Sequence, residues 1–300
     1  MSGEVEYAAA GTASRAPGPT PRSGTGPANL AGVEARVGVA KPDPILVVDG
    51  VRRRFGGLLA VDVEHLEIQR GAITALIGPN GAGKTTLFNV LTGFDRPDGG
   101  RWLFDGRDVS RARPHQLARA GMVRTFQLTK ALSKLTVVEN LELAARGQVG
   151  ERFLAGVLHR WTGQERDVEV RADALLERFR LDRLRDEYAG TLSGGQRKLL
   201  DMARALMVEP MLVMLDEPMA GVNPALTQAL LGHVTGLRDD GTTVVFVEHD
   251  MDVVMSISDW VVCLAEGRVI AEGPPSAVAS DPAVIDAYLG RHHDDPGAEA

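Results

Sequence analysis

The sequence predicts an α/β domain with a mostly parallel sheet, an antiparallel β subdomain and a helical insertion. Three observations carry this reading. Short, mostly apolar runs at 72–77, 211–215 and 243–247 suit central strands covered on both faces. Helical patterns follow the first and third of these runs and precede the third, the alternation expected of an α/β fold. The stretch 128–189 has many helix formers, as in 168–179, and no strong strand signal.

In chain order, residues 1–42 are dominated by Ala, Gly, Pro, Ser and Thr without apolar periodicity. Such a segment buries too little surface to offset its ordering entropy, so it is expected to be a disordered extension. Runs at 45–48 and 61–68 read as half-exposed antiparallel strands. The ordered domain is expected over 43–290, with the helical subdomain at 128–189 and a flexible tail at 291–300. His292 and His293 in that tail read as a solvated pair, because no third metal ligand is nearby in sequence. No internal repeat is visible, so the chain carries one functional unit.

The 300 residues are 44% apolar and 24% charged, ordinary values for a globular protein. A net charge of −7 argues against general nucleic-acid binding, which leaves a strongly basic footprint. The single cysteine, Cys263, lies in the apolar run Trp260-Val261-Val262-Cys263-Leu264 and reads as a small core residue. No apolar stretch approaches the roughly 18 residues that suggest a membrane span. With Glu4 and Glu6 and no hydrophobic core segment, the N-terminus does not read as a secretory signal. The expected location is the cytoplasm, with any membrane role supplied by a partner.

Gly78-Pro79-Asn80-Gly81-Ala82-Gly83-Lys84-Thr85-Thr86 matches the phosphate-loop pattern G-x-x-x-x-G-K-[ST] without a mismatch. An apolar strand precedes it and the helical run Leu87-Phe88-Asn89-Val90-Leu91 follows, as that loop requires. Glycines let backbone amides close around a triphosphate, and the next helix start adds partial positive charge. Lys84 would address the outer phosphates and the Thr85 hydroxyl would bind Mg²⁺. A second apolar run, Leu212-Val213-Met214-Leu215, ends in Asp216-Glu217-Pro218. Parallel sheets bind ligands at the carboxyl ends of their strands, so both acids belong beside the phosphates. Asp216 would hold the Mg²⁺ shell, and Glu217 would polarise the attacking water as general base.

Leu192-Ser193-Gly194-Gly195-Gln196 opens the helical run 197–207, roughly twenty residues before Asp216. Serine and glycine at a helix start form another anion cradle. With the phosphate loop and the acidic strand end in this order, the pentapeptide resembles the signature of the ATP-binding-cassette (ABC) ATPases, and the resemblance covers about residues 44–290. It implies that Phe55 stacks on adenine and that Gln127, in Arg124-Thr125-Phe126-Gln127, joins the catalytic core to the helical subdomain and reaches the Mg²⁺ shell. It also implies that His249 contacts the γ-phosphate. Asn223 stands where many members carry aspartate.

At finer grain the chain resembles the branched-chain amino-acid (Liv-type) importer ATPases. The residues are Phe88-Asn89-Val90-Leu91-Thr92-Gly93, Ala220-Gly221-Val222-Asn223-Pro224, Val247-Glu248-His249-Asp250-Met251 and Val284-Ile285-Asp286-Ala287-Tyr288-Leu289-Gly290. ATPases of urea and short-amide importers share much of this pattern. The resemblance implies that the signature of one subunit closes over ATP held by another, either a second copy or a similar chain. It further implies two membrane permeases, a solute-binding protein acting through them, and a peripheral position at the cytoplasmic membrane face. A soluble ABC ATPase without a transport role is the rival reading.

Overall fold

The computed structural model describes residues 30–125, 133–145 and 161–289, and for 161–165 the backbone alone. Gln127, the segment 1–29 and the tail 290–300 with its two histidines lie outside the described residues. Two sheets organise the rest. The first contains β1 (Pro44–Phe55), β2 (Leu58–Gln69), β4 (Gly99–Phe104) and β5 (Arg107–Asp108), in the order β2-β1-β4-β5 and antiparallel throughout. The second runs β10-β9-β3-β8-β7-β6. Its strands are β3 (Ile73–Ile77), β6 (Met122–Arg124), β7 (Leu212–Asp216), β8 (Thr243–Val247), β9 (Trp260–Ala265) and β10 (Arg268–Gly273). All its pairings are parallel except β9 with β10.

Alternate residues of the central strands enter two different cores. Ile73, Ala75 and Ile77 of β3, Val213 and Leu215 of β7, and Val244 and Phe246 of β8 face one. Leu76, Leu212, Met214, Val245 and Val247 face the other. With both faces apolar, these strands read as continuous runs rather than as alternation, which is why the sequence marks them so clearly.

The first core packs under α5 (Gly194–Leu206), α6 (Pro224–Asp239), α7 (Met251–Ile257), α8 (Pro275–Ala279) and α9 (Pro282–Leu289), together with α3 (Val137–Ala144) and α4 (Trp161–Arg178). The second packs against the antiparallel sheet, α1 (Lys84–Leu91) and α2 (Pro114–Ala120). Between 133 and 189 the described residues hold α3, α4 and short 3₁₀ turns. A lone bridge from Thr136 to Tyr188 closes the segment.

Residues 30–42 are not part of a disordered extension. Val39 and Lys41 are buried, and Leu30 and Val33 pack on the second core. Lys41 Nζ donates to Glu272 Oε2 at 2.7 Å and to the Val39 carbonyl, and it lies 4.3 Å from the centre of the Trp260 ring. Trp260 Nε1 and the Gly38 amide donate to the same carboxylate, while the Lys41 amide donates to Glu67 Oε2. Glu67 lies on β2 and Glu272 on β10, so this strap ties the two sheets together. The compositional expectation fails because few apolar residues hold the strap. One buried ion pair with every oxygen addressed does the holding, and composition does not register a single lysine.

Candidate functional site

Strand register puts the chemistry on one level. Leu76 of β3 lies opposite Val247 of β8, and Val247 lies opposite Asp216 of β7. Neighbouring strands are about 4.8 Å apart. The phosphate loop, the Asp216-Glu217 turn and the Glu248-His249 segment therefore leave the sheet side by side at its carboxyl edge.

The loop geometry depends on glycine at two places. Gly78 and Gly83 have φ of 142° and 98°, and an added Cβ would meet the Leu264 carbonyl oxygen at 2.1 Å and the Ala60 carbonyl oxygen at 2.3 Å. Gly83 caps α1 without any side-chain hydrogen bond, so the first-turn amides of that helix stay directed at the loop. Lys84 Nζ donates to the carbonyls of Gly78 at 2.6 Å and Pro79 at 3.0 Å, which folds the ammonium into the loop's concavity. Asn80, Gly81 and Thr85 are exposed, Pro79 and Thr86 are half-buried, and Ala82 is fully buried. The Gly78 amide donates to the Tyr288 hydroxyl at 2.9 Å, which anchors the loop to α9.

At the acidic strand end, Glu217 has φ of 45° and its amide donates to the Val247 carbonyl. Lys198 of α5 steadies this turn by donating to the carbonyls of Glu217, Pro218 and Ala220. Asp216 Oδ2 accepts from Arg124 Nη2 at 2.6 Å. Both acids line a cavity of about 380 Å³ that reaches Thr125, Gly194, Lys198 and Asp201. Glu248 is buried and its carboxylate accepts the Met219 amide at 2.8 Å; burial pushes its pKa up. His249, next in the chain, has a 65% exposed side chain. Phe55 ends β1 half-exposed, with the Arg53 guanidinium 4.5 Å from its ring centre.

Ser193 is the N-cap of α5. Its Oγ accepts the Gln196 amide, and Gln196 Oε1 accepts the Ser193 amide, a reciprocal capping box. Leu192 is buried in the first core, whereas Ser193 and Gly194 are exposed and an added Cβ on Gly194 would meet nothing. A Cβ on Gly195 would collide with the Leu226 side chain. Asn223 caps α6 by accepting the Leu226 amide at 2.9 Å, a task asparagine performs as well as aspartate.

Thr85 and Asp216 offer hydroxyl and carboxylate oxygen, the hard donors suited to Mg²⁺. No cluster of three or more His, Cys, Asp or Glu is assembled among the described residues. Mg²⁺ commonly takes one or two carboxylates and completes its shell with water and substrate phosphates, so a sparse donor set fits it. Residues the sequence reading left without a role are Arg124, Lys198, Glu248 and Tyr288. Arg124, Glu248 and Tyr288 stand inside quoted motif runs. Lys198 had no signal, because its partners are backbone carbonyls.

A phosphate loop, an acidic strand end and an exposed serine-glycine helix start on this two-sheet scaffold define an ATP-hydrolysing cassette. Residues 61–220 match the ABC transporter family, and 268–294 match a region described as branched-chain amino acid ATP-binding cassette transporter. The chain is 43% identical over 250 residues to the high-affinity branched-chain amino acid transport ATP-binding protein BraF of Pseudomonas aeruginosa, covering 82% of this chain and 98% of the relative. It is 41% identical, with the same coverages, to LivG of Escherichia coli, which carries the same description. A nucleotide-free ABC transporter cassette superposes with a TM-score of 0.72 at 38% identity, covering 82% of this chain and 99% of that one. Another, in its ADP conformation, gives 0.70 at 37% with the same coverages. The chain belongs to the ATP-binding subunits of ABC transporters.

Proposed function

We propose that this chain powers import of branched-chain amino acids, as one of two ATPase subunits on a pair of membrane permeases fed by a solute-binding protein. The carrying observation is the shared level of the phosphate loop, Asp216-Glu217 and His249 at the sheet edge. Lys84 and the loop amides from Gly78 to Thr86 hold the phosphates, and Phe55 stacks on the adenine. Thr85, Asp216 and, outside the described residues, Gln127 would hold Mg²⁺, which would supply positive charge to the phosphates. Glu217 takes the proton of the attacking water, a contribution typically worth about 10²–10⁴-fold. His249, exposed beside it, donates to the γ-phosphate oxygens.

Charge in this transition state spreads over equatorial oxygens that need donors from several directions. Ser193 and Gly194 provide them to a second subunit's nucleotide, which accounts for a capped helix start left open to solvent. No helix among the described residues is long and apolar enough to cross a membrane. In this reading the chain sits on the cytoplasmic face, held there by its permeases. A mostly apolar groove lined by Phe94, His115, Leu117, Ala118, Met122 and Arg124 suits an amphipathic helix of a permease. The solute reading draws on the names of the relatives and the 268–294 match.

Glu217→Gln is expected to keep ATP binding, lose turnover by at least about 10²-fold and accumulate as an ATP-bound dimer on size exclusion. Near-normal hydrolysis would remove Glu217 from the role of base. For the solute, proteoliposomes carrying the full complex should accumulate leucine when its binding protein is added; accumulation of urea instead would correct the substrate.

A further inference from the structure

Arg124 connects two parts of the site. Its Nη2 donates to Asp216 Oδ2 at the end of β7, and its Nη1 donates to Asn89 Oδ1 and lies 3.5 Å from Thr92 Oγ1, at the end of α1. The guanidinium carbon stands 5.8 Å and 5.9 Å from the ring centres of Phe88 and Phe94, and the side chain is 11% exposed. The planar fork is thus fixed by the helix that follows the phosphate loop, and a carboxylate assigned to a metal is already held by a cation. A carboxylate can accept several partners. A guanidinium at 2.6 Å and a hydrated dication on the same group nevertheless repel each other, strongly so where water is partly excluded.

We propose that Arg124 is a positioning residue that restrains metal use: anchored on α1, it holds the Asp216 carboxylate in competition with hydrated Mg²⁺. It thereby sets the free Mg²⁺ concentration at which the cassette takes up nucleotide. This rests on the assignment of Asp216 given above. A bridge with no role beyond stability would alter melting and leave the metal response unmoved.

The test is binding of a fluorescent ATP analogue to the full chain, at fixed nucleotide and varied free Mg²⁺. Arg124→Gln should lower the half-maximal Mg²⁺ concentration by roughly three- to tenfold, since one like charge is removed from a partly shielded site. Binding in the presence of a chelator should change less than about twofold, because no phosphate contact is lost. Arg124→Lys keeps the charge on a single donor head and should shift the midpoint less, in the same direction. It also serves alone should the glutamine variant not fold. A folded variant whose midpoint is unchanged or raised overturns the proposal. A wild-type chain whose binding ignores Mg²⁺ overturns it together with the metal role of Asp216, a different result from a responsive wild type with an unshifted variant.

Discussion

Two cation–carboxylate pairs sit at opposite ends of this fold and have opposite characters. Lys41–Glu272 is sealed, with side-chain exposures of 1% and 0%, and the carboxylate also accepts from Trp260 and Gly38. Arg124–Asp216 has a similar contact distance but keeps 11% and 14% exposure and borders both the groove and the cavity beside Glu217. Water and ligands reach the second pair and cannot reach the first. The same pairing chemistry therefore works as a rivet in one place and as an exchangeable contact in the other, and access decides which.

The largest expected effect comes from breaking the sealed pair. Lys41→Met leaves Glu272 buried without its cation, and such uncompensated burial typically costs about 3–5 kcal/mol. Urea unfolding should show that loss while affinity for ATP in the surviving folded fraction stays close to wild type, because the strap's bonds run to β2 and β10 and not to the phosphate loop. A loss below about 1 kcal/mol, the scale of an exposed pair, would show that the strap is not what joins the two sheets.

Arg124→Gln should cost less, about 1–3 kcal/mol as for a lost charged hydrogen bond, because water can solvate the Asp216 carboxylate left behind. Its main signature belongs to nucleotide binding rather than to melting. Equal losses of stability in the two variants would erase the distinction between rivet and exchangeable contact.

The sequence made the central sheet legible because burial on both faces forces continuous apolar runs, and it made the phosphate loop legible because Gly78 and Gly83 stand where an added Cβ would meet backbone carbonyls. The antiparallel strands were underread in length: β1 extends to Phe55 through Arg52, Arg53 and Arg54, whose charges hide a strand end still paired with β2. The strap was hidden for a related reason. Lys41 reads as a surface residue until Glu272, distant in sequence, is brought against it by β10. Arg124 and Lys198 belong to the same class, since their partners are set by tertiary folding and not by spacing. What a local pattern encodes was readable; what two remote segments encode jointly was not.

The smallest expected effect tests whether burial alone, without a sealed partner, makes a charge costly. Asp201 on α5 lines the cavity beside Glu217, and burial raises its carboxyl from the usual 3.8 to about 6 despite Arg204 at 3.4 Å. Between roughly pH 4 and 6 the folded chain thus binds a proton at this position that the unfolded chain has released, so this residue's contribution to stability falls as pH rises through that window. The substitution Asp201→Asn removes the charge and should flatten that segment of the stability profile. Relative to wild type the variant should gain on the order of 1–2 kcal/mol between pH 4 and pH 7, a full shift being discounted for the 17% exposure of the carboxylate. Urea midpoints at several pH values measure the difference directly and cancel the other carboxylates, which titrate alike in both chains. A difference that stays constant with pH would mean that Arg204 compensates Asp201 as fully as Lys41 compensates Glu272, and access to water would then not be what separates the two kinds of pair.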